Sequence, residues 1–177
     1  MAKNCFWIAL GVMLLIWSTG LVVAQTTAGG GVVSFSTRNL GGPRIGFAVV
    51  PGTGEIARKM EENQIGRVIS QFGWHFEHAV IANTDGPAFV TEFIPLIGGV
   101  EYGTAILSTT LAFGIREPGG YEFGVGPNLL FGSKVQSAVV IALGKTFDVS
   151  GVALPLNLAF VLGNGGARIG FLVGYAI

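Results

Sequence analysis

His75, Glu77 and His78 come nearest, by type and spacing, to a metal or acid-base cluster in this chain. Successive side chains of an extended strand point to opposite faces, so His75 and Glu77 share a face and His78 points away. Three ligands from one such stretch would need a bulge, and the expectation is therefore no metal site and no cofactor. His75 and Glu77 stay as weak candidates for acid-base work. A hydrolase would also need a nucleophile held beside a histidine and an acid. Ser70, Ser108 and Ser137 are available, but none occupies a recognisable motif. Gly52-Thr53-Gly54 and Gly124-Val125-Gly126 are not followed by the Lys-Ser/Thr of a phosphate-binding loop, nor do they fall in a strand-helix-strand unit.

The elements that must position these side chains have a period of two. At the C-terminus Ile169, Phe171, Val173, Tyr175 and Ile177 alternate with Arg168, Gly170, Leu172, Gly174 and Ala176. The same sorting recurs backwards along the chain, with Phe123 and Val125 opposed to Glu122 and Gly124, and Trp74 and Phe76 opposed to His75 and Glu77. Turn-rich joints such as Asn83-Thr84-Asp85-Gly86, Glu117-Pro118-Gly119-Gly120 and Ser150-Gly151 separate the runs. The pattern predicts eight strands near 43–51, 67–82, 87–98, 104–117, 121–132, 135–149, 151–162 and 167–177. One stretch differs. Gly54 to Arg67 holds Glu55, Arg58, Lys59, Glu61, Glu62 and Arg67, with opposite charges four apart, and reads as a short amphipathic helix capped by Thr53 and ended by Gly66.

Composition sets the class. Of 177 residues, 50% are hydrophobic, 11% are charged and 29 are glycine, whereas a soluble domain carries about 25% charged residues and about 7% glycine. The apolar content excludes intrinsic disorder, and ten basic against ten acidic residues leave no basic surface for nucleic acid. Lys3 followed by the uncharged, apolar run Cys5–Ala24 reads as a signal peptide over 1–24, with cleavage after Ala24. A flexible segment over 25–41 follows, and the barrel domain is expected over 42–177. Cleavage would remove Cys5, the single cysteine, and with it any disulfide or thiol chemistry.

The large residues share a nearly charge-free face on every strand, while the charges share the other face with glycine. In hydrocarbon an open sheet leaves its edge groups unpaired, so the expectation is an all-β, closed antiparallel eight-stranded transmembrane β-barrel with one short helix in its first outer connection. Eight strands enclose a lumen just wide enough to be filled by side chains. Arg44, Glu77, Glu92, Arg116, Glu122 and Arg168 are accordingly expected to pair there as an interior polar network, with no open channel. The nine residues Gly41–Val49 and Gly165–Val173 are nearly the same, which suits first and last strands that meet at a seam.

On these residues the chain resembles small bacterial outer-membrane β-barrels. The ending Arg168–Ile177, with Tyr175 third from the end, is similar to the strand signal read by the barrel-assembly machinery, with Ile177 where that signal usually has Phe or Trp. The blocks Gln71–Glu77, Glu92–Gly99 and Glu122–Pro127 are similar to exported proteins of Gram-negative bacteria. The resemblance implies residence in the cell outer membrane after export, with outer-membrane lipid and, during insertion, the barrel-assembly machinery as partners. The expected role is structural, in envelope integrity, or in binding a lipid or an envelope partner through residues 54–66. The alternative is a lipid-active enzyme of the lipid A deacylase type.

Overall fold

The computed structural model describes residues 34–83, 85–132 and 134–176. The signal peptide expected over 1–24, and residues 25–33 after it, lie outside the described residues. Eight strands follow in order: β1 (Gly42–Val49), β2 (Val68–Ile81), β3 (Ala88–Gly98), β4 (Ile106–Arg116), β5 (Tyr121–Phe131), β6 (Val135–Val149), β7 (Val152–Gly163) and β8 (Gly166–Gly174). Each pairs antiparallel with the next, and β1 pairs with β8, so the sheet closes as a barrel.

The period of two becomes inside and outside. Phe72, Trp74 and Phe76 stand on the outer wall, whereas His75 between them is buried. The same holds on β4, where Leu111, Phe113 and Ile115 face out and Thr110, Ala112 and Arg116 face in. Among the described strand residues, Lys145 is the one Lys, Arg, Asp or Glu at an outward position. Its ammonium lies 3.7 Å from the centre of the Tyr121 ring and donates to Gly119 O at 2.7 Å, at the end of the barrel where β5 begins.

Closure needs glycine where strands approach most closely. At the seam Gly46 pairs with Leu172, and a Cβ at Gly46 would stand 1.8 Å from the Phe171 carbonyl oxygen. Phe47 and Phe171, one residue on, stack across the seam with ring centres 5.7 Å apart. The β6–β7 hairpin turns on two residues, Ser150 and Gly151, with φ of 55° and 90°. Positive φ at both positions lets a tight turn follow the twist of its strands.

The barrel has two unlike ends. At the first connection, α1 (Glu55–Glu62) turns its apolar side to the barrel, and Ala57 and Met60 pack with Ala48, Val50 and Ile69. The outward side carries the pairs Lys59–Glu55 at 2.8 Å and Arg58–Glu62 at 3.9 Å. Gly54, rather than Thr53, occupies the N-cap, and the helix ends at Asn63 rather than running to Gly66. The reason is contact with the β7–β8 turn: a Cβ at Gly54 would lie 2.7 Å from Gly165 O, and Ile56 N donates to that oxygen at 2.9 Å. Next to α1, the 3-10 turn Val100–Tyr102 is tied down by Glu101, which accepts bonds from the Ser70 amide at 2.6 Å and from the Ser70 hydroxyl.

At the opposite end, residues 34–41 strap the barrel. Phe35 and Leu40 are buried with Ala153 and Ala176, Phe35 N donates to Pro118 O at 3.0 Å, and Arg38 pairs with Asp148 at 2.8 Å.

Two outcomes follow from these contacts. Gly46→Val should cost about 3 kcal/mol or more, because neither backbone at the seam can yield without breaking the ladder; a denaturant midpoint equal to that of the parent would contradict the register. The Glu101 carboxyl is held below its ordinary 4.5 first by the Ser70 hydroxyl and then by the Ser70 amide. With a depressed folded-state pKa, the tie is present above the unfolded value and is lost as pH falls through the folded one. An NMR titration of the Glu101 side-chain carbon should show a midpoint below 4.5 that rises in Ser70→Ala.

Candidate functional site: the luminal polar cluster

Inward positions near the strapped end carry most of the interior charge, because β2, β4 and β5 each place one charged residue near their termini there. Arg116, at the end of β4, is fully buried. Its Nη1 donates to Glu77 Oε1 at 2.8 Å and to Arg38 O at 3.2 Å, its Nη2 donates to Glu77 Oε2, and its Nε donates to Glu122 Oε2. The planar guanidinium is thus spent on two carboxylates and one carbonyl, the bidentate geometry that favours arginine over lysine. Arg116 and Glu122 are direct partners in the β4–β5 register, which explains their pairing.

A second group adjoins the first. Arg44 Nη2 donates to Leu40 O at 2.6 Å and to His75 Nδ1 at 2.7 Å. Since Nδ1 accepts from Arg44, the neutral ring carries its proton on Nε2. That atom lies 3.4 Å from Glu92 Oε2 and makes no hydrogen bond there. Glu92 and Glu122 line the same cavity, so the carboxyl groups of Glu77, Glu92 and Glu122 share one end of the lumen with Arg44, Arg116 and His75. Leu40 N, from the strap, faces Glu77 Oε1 at 3.4 Å. The strap therefore binds through the same charges that hold the strands together.

Arg168 stands apart from this cluster. It is buried and faces the lumen, but its Nη2 donates to Asn128 Oδ1 at 2.5 Å rather than to an acid. Asn128 in turn donates to Ser108 Oγ at 2.9 Å and Thr110 Oγ1 at 2.8 Å. Asn128 and Thr110 carried no weight in the sequence reading beyond their inward parity, and Ser108 was weighed only as a nucleophile; no spacing marks the three, since they meet across the strand pair β4–β5. Between the two groups lies an internal cavity of about 80 Å³.

The residues weighed for catalysis are dispersed. His75 and Glu77 point inward and His78 is exposed on the outer wall. Ser70 is exposed and bonded to Glu101, Ser108 is engaged with Asn128, and Ser137 holds an outward parity on β6. Among the described residues no group of three His, Cys, Asp or Glu is placed to hold a metal ion. No protein family, curated protein or solved structure matches the chain.

Removing one member of the Arg116 cluster leaves a buried charge without its partner, which costs about 3–5 kcal/mol. Glu77→Leu should therefore destabilise the barrel by that order, and Glu77→Leu with Arg116→Met should recover a substantial part. Equilibrium unfolding of the single and double variants checks this; additive losses would mean that the pair is not coupled.

Proposed function

We propose that this protein is a transmembrane β-barrel of the bacterial outer membrane, without an open channel, that serves envelope integrity or binds a lipid or partner at the membrane. The single observation that carries the reading is the character of the outer wall. Large apolar residues such as Phe47, Phe72, Phe93, Leu111, Phe113 and Phe123 are exposed on successive strands, with Lys145 as the one charged residue on outward strand positions among those described. Monomeric soluble proteins rarely expose apolar patches beyond a few hundred Å². Here the apolar surface continues around the closed sheet while the polar side chains point in, the sorting that hydrocarbon outside and a filled interior demand.

Strand length supports the same reading. β3, β4 and β5 each have 11 residues, and about 9–11 tilted residues cross a bilayer. Lys145 lies near one end with its ammonium drawn to Gly119 O and the Tyr121 ring, consistent with a long side chain reaching for the polar boundary of a membrane. Both ends of the lumen are covered, by α1 and by the strap, and an eight-stranded interior is filled by side chains. That argues against a pore and for a wall element whose exposed helix, α1, offers its charged side as a contact for an envelope partner. Insertion would engage outer-membrane lipid and the barrel-assembly machinery, and the secretory route would remove residues 1–24.

Fractionation tests the reading directly. The protein should be recovered from outer-membrane fractions and should migrate differently in detergent gels before and after heating; recovery as a soluble periplasmic protein would end it. Phe171→Arg should cost about 2–4 kcal/mol in lipid if this outward position lies near the bilayer midplane. Refolding yield in vesicles that is unaffected by Phe171→Arg would contradict the assignment of the outer wall to lipid.

A further inference from the structure

Arg168 is a buried cation that no carboxylate balances. It is 8% exposed and, among the described residues, forms no salt bridge; its one protein acceptor is the Asn128 amide oxygen. An uncompensated charge away from water is costly, so buried charges are ordinarily paired. The register shows why the luminal acids do not pair with it. Glu122 lies six residues along β5 from Asn128, and Glu77 six residues along β2 from Gln71, a separation of about 20 Å along each strand. Glu92 comes nearer and lines the same cavity, with its Oε2 3.4 Å from His75 Nε2 and its Oε1 without a partner, but it forms no salt bridge with Arg168.

The groups around Arg168 are donors. Asn128 Nδ2 donates to Ser108 Oγ and Thr110 Oγ1 and, at 3.3 Å, to Thr109 O, so each hydroxyl accepts from the amide and keeps its own O–H for another acceptor. The Gln71 amide lines the same space and has no protein partner among the described residues. With Nη2 on Asn128, the guanidinium retains the edge formed by Nε and Nη1, which is shaped to take a planar oxyanion on two bonds. One cation, two hydroxyls and an amide thus line a cavity of about 80 Å³, on strand positions toward α1, and Glu92 and Glu122 line it toward the strap. Above it Ala57 and Met60 of α1 pack with Ala48, Val50 and Ile69.

We propose that this half of the lumen is a binding site for a small monovalent oxyanion of the carboxylate class, held by Arg168, Ser108, Thr110 and Gln71 beneath α1. The site lies inside the barrel and does not depend on which medium surrounds the outer wall, so it stands or falls separately from the membrane reading.

Equilibrium dialysis of the full chain, refolded in the presence of 14C-formate, tests the site. Ionic strength is held constant with gluconate, which is too large for the cavity. Retained formate should approach one equivalent per chain and be displaced by nitrate. Arg168→Gln should reduce affinity at least tenfold, and Ser108→Ala and Thr110→Val should each reduce it several-fold, which keeps the test open if Arg168→Gln does not fold. Arg58→Gln, on the exposed side of α1, should bind as the parent does. Thermal unfolding supplies a second readout: the parent's midpoint should rise with formate concentration, and that of Arg168→Gln should not. No retained formate, or equal retention in the parent and the Arg168, Ser108 and Thr110 variants, would overturn the proposal. A midpoint for Arg168→Gln lowered equally in formate and gluconate would make Arg168 a structural residue and overturn it as well.

Discussion

The pairing of β1 with β8 is the contact on which the rest of the molecule depends. Through it every strand has a neighbour on both sides, and no edge is left to seek a partner elsewhere. Eight strands closed in this way enclose little space, so an inward position is small, shares a hydrogen bond with a neighbour, or is packed as an apolar side chain such as Leu96 or Leu172. Gly46, Gly73 and Gly126 meet the first condition; a Cβ at any of them would stand within about 2 Å of a carbonyl oxygen on the adjacent strand. Arg116, Glu77 and Glu122 meet the second. The Glu77–Arg116 pair ties β2 to β4, strands that the backbone ladder does not join directly, and Arg116–Glu122 reinforces the neighbouring pair β4–β5.

The ends of the barrel continue this economy of space in two different ways. Where the lumen is charged, the cover is a strap whose backbone answers the charges: Arg38 O and Leu40 O accept from Arg116 and Arg44. Where the mouth of the barrel is lined by Ala48, Val50 and Ile69, the cover is a helix that presents Ala57 and Met60. Each cover matches what lies beneath it, because an unmatched polar group or an exposed apolar mouth would carry the cost of imperfect burial. Only the strap is built from residues the sequence reading placed in a flexible segment. Its two apolar anchors, Phe35 and Leu40, are separated by charged and polar residues and show no periodicity that would mark them as buried.

Much of the strand architecture was legible because alternation is a local property. In Ile169–Ile177 or Tyr121–Phe131 a large residue at every second position states which face is which, without reference to any other strand. The helix was legible as well, from opposite charges spaced four apart, although its limits were not, since Gly54 takes the N-cap through contact with a turn more than a hundred residues away. The inward parity of Arg44, Glu77, Glu92, Arg116, Glu122 and Arg168 could be read from the same alternation. Which of them meet could not. Parity gives the face of a residue, and depth along the barrel depends on the register of every intervening pair of strands.

The near-repeat of Gly41–Val49 in Gly165–Val173 shows the boundary between the two kinds of information. From the sequence alone the two segments are equivalent, each a closing strand with one inward arginine, and the apolar outer face and the small inner face are determined by their own alternation. The antiparallel pairing of β1 with β8 makes them inequivalent: it runs the two copies in opposite directions, so Arg44 falls among the acids at the strapped end and Arg168 falls near α1 beside Asn128. Local alternation was enough to determine the strands, their faces and the class of fold. The tertiary structure alone decided which charge is paired and which is left facing a cavity, because that outcome rests on height within a closed barrel, and height is set jointly by the register of all eight strands.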